Sequence, residues 1–307
     1  MKAAVIRRFG GPEVLELTEL PEPKTHVDSV LIRVKAAGLN HADAAIQAGA
    51  LDDAVETFFP VVPGWDVAGV VERSGRGAPE FAPGDEVIAY VRGDVHRAHG
   101  AFAELVAADV RTVAHKPHTM SFAEAAGLPL SALTAYQGVT HVLAVQPSET
   151  VLVLGAAGGV GSLAVQIALA RGARVIGIAS PNDHDYLRTL GAEPATRGPD
   201  LVDQVLALVS NGADAVLDTA GAAALAAASR ALKPGARQAS IVAPSAPDVT
   251  PVFARMNQDD LTAVTAQANA GLVSVRVGAL FPLEKAAEAQ RTFATGDVAG
   301  KVVLEID

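Results

Sequence analysis

Three glycines carry the clearest chemistry in this chain. Residues 151–161 read Val-Leu-Val-Leu-Gly-Ala-Ala-Gly-Gly-Val-Gly. Val151 to Leu154 form a short apolar run, of the kind buried on both faces of a parallel sheet. From Val160 onward the apolar residues Val160, Leu163, Ala164 and Ile167 follow the i, i+3, i+4, i+7 spacing of a helix face. Between the two, Gly155, Gly158 and Gly161 let the backbone turn sharply and approach a ligand without Cβ clashes. A strand entering a helix through such a turn aims free N–H groups and the positive end of the helix dipole at a pyrophosphate. The spacing is GxxGxxG rather than GxGxxG, so a tight strand-to-helix turn without ligand is the competing reading of the loop alone.

The surrounding elements favour the dinucleotide reading. Arg174–Ala179 predicts a second strand, Leu201–Val209 a helix, and Ala215–Leu217 a third strand ending at Asp218. Ala222–Leu232 predicts a helix, Pro234-Gly235 a turn and Ser240–Ala243 a further strand, while Glu193–Pro199 gives too weak a signal to place. Strands alternating with helices in this way build a doubly wound parallel sheet, a Rossmann-type domain in an α/β protein.

At 307 residues the chain has room for two domains with cores of their own. No apolar run reaches the roughly 18 residues of a membrane span, and the short run before Arg7-Arg8 is too brief for a signal peptide. The expectation is a cytoplasmic protein with no membrane contact. A formal net charge of −10 disfavours nucleic acid as a partner. The absence of cysteine excludes disulfides, thiol nucleophiles and cysteine-ligated zinc.

Before the glycine loop, short apolar runs such as Lys2–Ile6, Val30–Val34, Val67–Val71, Glu86–Val91 and Phe102–Val106 are separated by turn residues. They predict a β-rich domain resembling a partly open barrel. Ser121 and Glu124 form a capping box that opens a helix. Val273–Leu280, Leu283–Phe293 and Lys301–Ile306 read as β-α-β, with the last strand expected to rejoin the N-terminal domain. The expected division is 1–121 completed by 272–307, with the dinucleotide-binding domain at 122–271. A cleft between two domains is a common ligand site.

Several motifs occur in fixed order. They are Phe9-Gly-Gly-Pro-Glu-Val-Leu15, Ala37-Gly-Leu-Asn-His-Ala-Asp43, Pro63-Gly-Trp-Asp-Val-Ala-Gly69 and Gly84-Asp-Glu-Val87. Leu128–Ala135, Ala156–Gly161 and Gly300-Lys-Val-Val-Leu304 follow. Together they resemble the zinc-independent quinone oxidoreductase branch, zeta-crystallin-like, of the medium-chain dehydrogenase/reductase superfamily. The resemblance spans nearly the whole chain. It implies a GroES-like catalytic domain, a Rossmann domain, NADPH and a homodimer. Zinc-containing members of the superfamily carry Cys where this chain has Asn40, and Gly-His-Glu where it has Gly64-Trp65-Asp66. Trp65 cannot ligate a metal and an amide is a poor zinc ligand, so no metal is expected. His96 and His99, in a polar loop without a third ligand nearby, do not alter that expectation. Similar quinone reductases also carry a tyrosine where this chain has Ala50 or Leu51, and Phe58 or Phe59 is the nearest aromatic substitute.

Hydride transfer needs neither metal nor thiol, because the cofactor carries the reactive C–H bond. The protein aligns the acceptor and stabilises charge developing on its oxygen. The expected function is NADPH-dependent reduction of a small-molecule quinone or enone, with Asn40 as the catalytic polar donor; its competing role is a hydrogen bond to a turn backbone. Asp43 reads as a helix cap or structural partner. The cofactor-binding candidates from the loop are Ala157, Gly158, Gly159 and Val160. The second strand ends in Ser180, where NAD-selecting domains place an acidic residue about 20 positions past the glycines. Ser180 with Arg188 and His184 nearby points to a 2′-phosphate, hence NADPH, while Asp183 and Asp185 count against it. Thr134 resembles the residue that family members hold near the nicotinamide ribose, or else bonds its own helix turn. Ala243 and Phe253 are expected to line the cofactor. Two alternatives stay open: an enoyl-thioester reductase, whose carrier or coenzyme A phosphate needs a basic patch not clear in the sequence, and a non-catalytic NADPH-binding protein.

Overall fold

The computed structural model describes residues 1–50, 52, 57–92, 100–242 and 248–307. In chain order the strands begin with β1 (Lys2–Val5), β2 (Glu16–Glu19), β3 (Ser29–Gly38), β4 (Asp66–Ser74) and β5 (Glu86–Tyr90). They continue with β6 (Leu105–Asp109), β7 (Val113–His115), β8 (Thr150–Leu154), β9 (Arg174–Ala179) and β10 (Glu193–Thr196). The last are β11 (Ala213–Asp218), β12 (Leu232–Ser240), β13 (Val249–Pro251), β14 (Val277–Pro282) and β15 (Lys301–Glu305). The helices begin with α1 (His41–Gln47), α2 (Phe122–Ala125), α3 (Pro129–Tyr136), α4 (Gly159–Ala170) and α5 (His184–Thr189). They end with α6 (Leu201–Leu208), α7 (Ala222–Ala228), α8 (Gln258–Asn269) and α9 (Ala286–Thr295).

The chain divides into two units. The first comprises Met1–Leu130, Met256–Gly271 and Val275–Asp307; the second comprises Ser131–Arg255 and Leu272–Ser274. The first holds the seven-stranded sheet, in which β14-β15-β3-β4-β5-β7 are neighbours and β6 also pairs with β3. Ten-residue β3 is its spine. Antiparallel pairing with β4 occupies one edge, and β6 and β15 share the other. Val30, Ile32, Val34, Val67, Val87 and Val302 bury their side chains in one apolar cluster around that spine. Strand β15 does rejoin the N-terminal region, with Val303 opposite Gly38. Helix α8, which the sequence reading grouped with 122–271, belongs to the first unit. Thr265 donates to the His115 carbonyl at 3.2 Å, and Asn269 accepts from the His118 N–H at 2.9 Å. The capping box is present, with Glu124 accepting from the Ser121 N–H at 2.8 Å and Ser121 Oγ accepting from the Glu124 N–H at 3.3 Å.

The second unit is built on six parallel strands in the order β10-β9-β8-β11-β12-β13. All five residues of β8 are buried, as a strand with both faces covered requires. The order reverses between β8 and β11. Ligands of open α/β sheets bind beside the carboxyl ends of the strands at such a switch point. Two elements differ from expectation. Residues 222–232 form a helix only to Ala228, then a 3-10 turn over Ser229–Ala231, and Leu232 already belongs to β12. Pro234-Gly235 is therefore an interruption inside β12 and not its preceding turn: the register jumps from Leu232 opposite Ala213 to Arg237 opposite Ala215. The strand ends at Ser240, not at Ala243. The unplaced stretch after Glu193 is the edge strand β10, four residues paired on one side with β9.

Candidate active site

In the first unit the sheet register brings three chain segments together. Gly38 lies opposite both Asp66 and Val303. Asn40 follows β3, Asp66 opens β4 and Lys301 opens β15. Asn40, Asp43, Asp66 and Lys301 are all at most 7% exposed. The Lys301 ammonium donates to Asn40 Oδ1 at 2.8 Å and to the Leu39 carbonyl at 3.0 Å, with Asp66 Oδ2 at 3.7 Å. Asn40 Nδ2 donates to Asp66 Oδ2 at 2.9 Å and, over a longer 3.4 Å, to the Gly38 carbonyl. The other Asp66 oxygen accepts the Leu130 N–H at 2.8 Å.

Asp43 is the structural partner its position in α1 predicts. One of its oxygens accepts the Asn40 N–H at 2.8 Å and the other the Gly64 N–H at 3.1 Å. Burial dominates the ionisation of the whole cluster. It pushes the Asp43 carboxyl up to about 7, with the nearby Asp66 charge adding to the rise. It raises Asp66 against the opposing effect of Lys301, and it lowers Lys301 against the pull of both carboxylates.

Trp65 is 6% exposed and packs edge-on against Tyr90, with ring centroids 5.8 Å apart. Its indole nitrogen is buried with no acceptor among the described residues. By the alignment above, Asn40, Trp65 and Asp66 hold the positions of zinc ligands in zinc-containing relatives. Here the Asn40 and Asp66 oxygens already face an ammonium, and an indole offers a donor hydrogen and no lone pair. This donor set does not fit a zinc ion.

In the second unit, Gly155 and Ala156 both donate to the Ile178 carbonyl at 3.0 Å, which tucks the glycine loop over the end of β9. A Cβ at Gly161 would stand 2.1 Å from the Gly155 carbonyl oxygen, so only glycine fits there. No side chain caps α4, and the N–H groups of Gly159, Val160 and Gly161 find no acceptor among the described residues. Such a cradle accepts an anion, and a dinucleotide pyrophosphate is chemically suited to it. Thr219, just past the end of β11, fixes the cradle. Its hydroxyl donates to the Leu154 carbonyl at 2.7 Å, tying the ends of β8 and β11 together across the switch point. Asp218 is fully buried and accepts from the Ala220 and Gly221 N–H groups at 2.8 and 2.9 Å and from the Ser240 hydroxyl at 2.8 Å.

The remaining candidates are placed as follows. Ala157 and Gly158 lie in the loop, with Gly158 donating to the Gly155 carbonyl at 3.0 Å. Thr134 is buried on α3. Ser180 ends β9 and donates its hydroxyl to Asp183 at 2.8 Å, and exposed Arg188 donates to Asp185 at 2.6 Å. Phe253 is exposed on a segment held by Gln137, whose amide exchanges two hydrogen bonds with the Arg255 backbone at 2.8 and 3.0 Å. Phe59 packs against Phe9 at 5.0 Å and Phe58 is half exposed. Ala243, Leu51, His96 and His99 lie outside the described residues.

Sequence reasoning missed Lys301 and Asp66 as members of the cluster. The available signal was opposite charges set at the starts of strands that are otherwise apolar, Asp66-Val-Ala and Lys301-Val-Val-Leu. It also missed Arg197. That residue follows β10, donates its N–H to the Ala179 carbonyl at 3.4 Å, and thereby lies beside Ser180 with an exposed side chain.

Residues 26–118 match the alcohol dehydrogenase GroES-like domain and residues 159–270 the zinc-binding dehydrogenase family. The chain is 33% identical to the NADPH-dependent alkenal/one oxidoreductase of Arabidopsis thaliana, over 99% of its own length and 79% of that protein's. It is 31% identical to the quinone oxidoreductase of Homo sapiens, over 99% and 97% of the two lengths. The chain belongs to the quinone oxidoreductase branch of the medium-chain dehydrogenase/reductase superfamily. Among solved structures, one described as an NAD-dependent alcohol dehydrogenase superposes over the full length of both chains with a TM-score of 0.90 at 35% identity. As a member of this superfamily the protein is an oxidoreductase of small molecules that uses a nicotinamide cofactor. No helix among the described residues is long and apolar enough to cross a membrane.

Proposed function

We propose that this protein reduces quinones and activated enones with NADPH, without a metal ion. The observation that carries the proposal is the closed cluster around Asn40. Its oxygens are engaged by an ammonium and its amide hydrogens by Asp66 and Gly38, so among the described residues of this cluster the donor left for a substrate oxygen is one neutral N–H. Such weak assistance suits an acceptor that delocalises its own developing charge, and it does not suit a simple ketone.

When bound, the reduced nicotinamide supplies hydride. In an enone the new C–H bond forms at the β-carbon, the C=C electrons move to the carbonyl oxygen, and the enolate takes a proton from water. A quinone accepts the same two electrons to give a hydroquinone monoanion, protonated on oxygen. Asn40 Nδ2 has one hydrogen held at 2.9 Å by Asp66. The other makes only a longer 3.4 Å contact to the Gly38 carbonyl, and this weakly held hydrogen is the one shared with the acceptor oxygen. Ala157, Gly158, Gly159 and Val160 would bind the pyrophosphate, Thr134 the ribose, and Phe253 would pack on the dinucleotide.

For the 2′-phosphate, Arg188 is tied to Asp185 and Ser180 to Asp183, and exposed Arg197 beside Ser180 is the proposed cation. The Asp183 carboxylate opposes that phosphate and limits the preference over NADH. The names of the Arabidopsis and human relatives support this choice of acceptor, and the former also names NADPH. The test is loss of reduced-cofactor absorbance with a para-quinone, an alkyl vinyl ketone and a saturated ketone, each with NADPH and NADH. Reduction of the first two, faster with NADPH, is expected. Equal reduction of the saturated ketone, or a preference for NADH, contradicts the proposal.

A further inference from the structure

We infer that Lys301 and Asp66 are positioning residues that orient and polarise the Asn40 carboxamide for donation to the acceptor oxygen. The inference rests on the donor role proposed for Asn40 and concerns what makes that donor effective. An ammonium can only donate and a carboxylate can only accept. With Lys301 Nζ 2.8 Å from one end of the amide and Asp66 Oδ2 2.9 Å from the other, oxygen must face Lys301 and nitrogen must face Asp66. A flipped amide would set N–H against ammonium and carbonyl against carboxylate, so the buried pair leaves one orientation. That orientation points the second Nδ2 hydrogen away from Asp66, along the long 3.4 Å contact to Gly38.

The charges also act through the amide. A cation on Oδ1 draws electron density from the C–N unit and strengthens the N–H as a donor, an effect enlarged where water is excluded. Fold stability alone does not account for the arrangement. A buried ion pair is often no more stabilising than apolar residues of the same volume, and the surroundings here are an apolar core. Among the described residues, Lys301's ammonium contacts, to Leu39, Asn40 and Asp66, all lie within this cluster.

The test compares Lys301→Gln, Asn40→Ala and the double variant Asn40→Ala/Lys301→Gln under saturating NADPH. It also follows the side-chain 15N–1H resonances of Asn40, identified by their loss in Asn40→Ala. Lys301→Gln is expected to lower kcat about tenfold with the KM for NADPH unchanged, and to move the Asn40 amide resonances upfield. The double variant is expected to be no slower than Asn40→Ala, because the lysine acts through the amide. Should Lys301→Gln fail to fold with Asp66 left unpaired, Asp66→Asn/Lys301→Gln removes both charges and carries the same expectations. A folded variant with wild-type kcat and unshifted amide resonances overturns the inference. So does a loss that adds in full to that of Asn40→Ala. Wild-type kcat in Asn40→Ala is a different result, since it removes the donor role itself.

Discussion

Ser180 and Arg188, two of the side chains whose positions point to a phosphate, are each bonded to a carboxylate. Under the proposed function, cofactor choice turns on Arg197, which approaches Ser180 through strand pairing and not through sequence proximity. Arg197→Gln is expected to raise the KM for NADPH about tenfold, as loss of one charge-assisted contact does, and to leave the KM for NADH unchanged; initial rates with both cofactors check this. Asp43 gives a pH signature. In an unfolded chain it ionises near 3.9, whereas burial holds it up to about 7 in the fold, with Asp66 and Lys301 as its charged neighbours. Between those values the folded state keeps a proton that the unfolded state has lost, so this group makes stability fall as pH rises from about 4 to about 7. Urea unfolding at about pH 5 and about pH 7.5 should show a larger loss in the wild type than in Asp43→Asn. The structural role of Asp43 was legible because cap chemistry is local. Lys301 was not, since its partners lie more than 260 positions away and only the register of β15 on β3 brings them together.

The glycine loop shows how tightly one element can be specified. Gly161 has no room for a methyl group, because its Cβ would overlap a backbone oxygen that cannot move independently of β8. Gly161→Ala is expected to cost about 1–3 kcal/mol of stability, lower the Tm and weaken NADPH binding, as calorimetry and cofactor fluorescence would show. The loop and the buried strands β8, β9 and β11 were readable because continuous apolar runs and glycine punctuation are strong signals. Strand β10 was not, since an edge strand of four residues containing Pro194 has little apolar pattern to show. Pro234-Gly235 misled in the other direction. The pair does turn the chain, with Gly235 at φ +77°, but as an interruption within β12, and that follows from pairing with β11 alone.

Across the whole molecule, the return of the C-terminal segment to the N-terminal sheet was legible from the β-α-β pattern at the end of the chain. The membership of α8 was not, because its hydrogen bonds to His115 and His118 are long-range. The last strand matters twice, closing one edge of β3 and delivering Lys301. Deleting residues 301–307 leaves Asp43 and Asp66 buried without their cation, a loss of about 3–5 kcal/mol for a broken buried pair, before any loss of sheet. Failure of the first unit to fold, seen as lost strand signal in circular dichroism, is expected. The most direct test of the central claim, reduction without a metal, is turnover by chelator-treated enzyme with its zinc content measured. Full NADPH-dependent reduction of a quinone and a vinyl ketone at far less than one zinc per chain is the expected result. Activity that vanishes on chelation and returns with added zinc would contradict it.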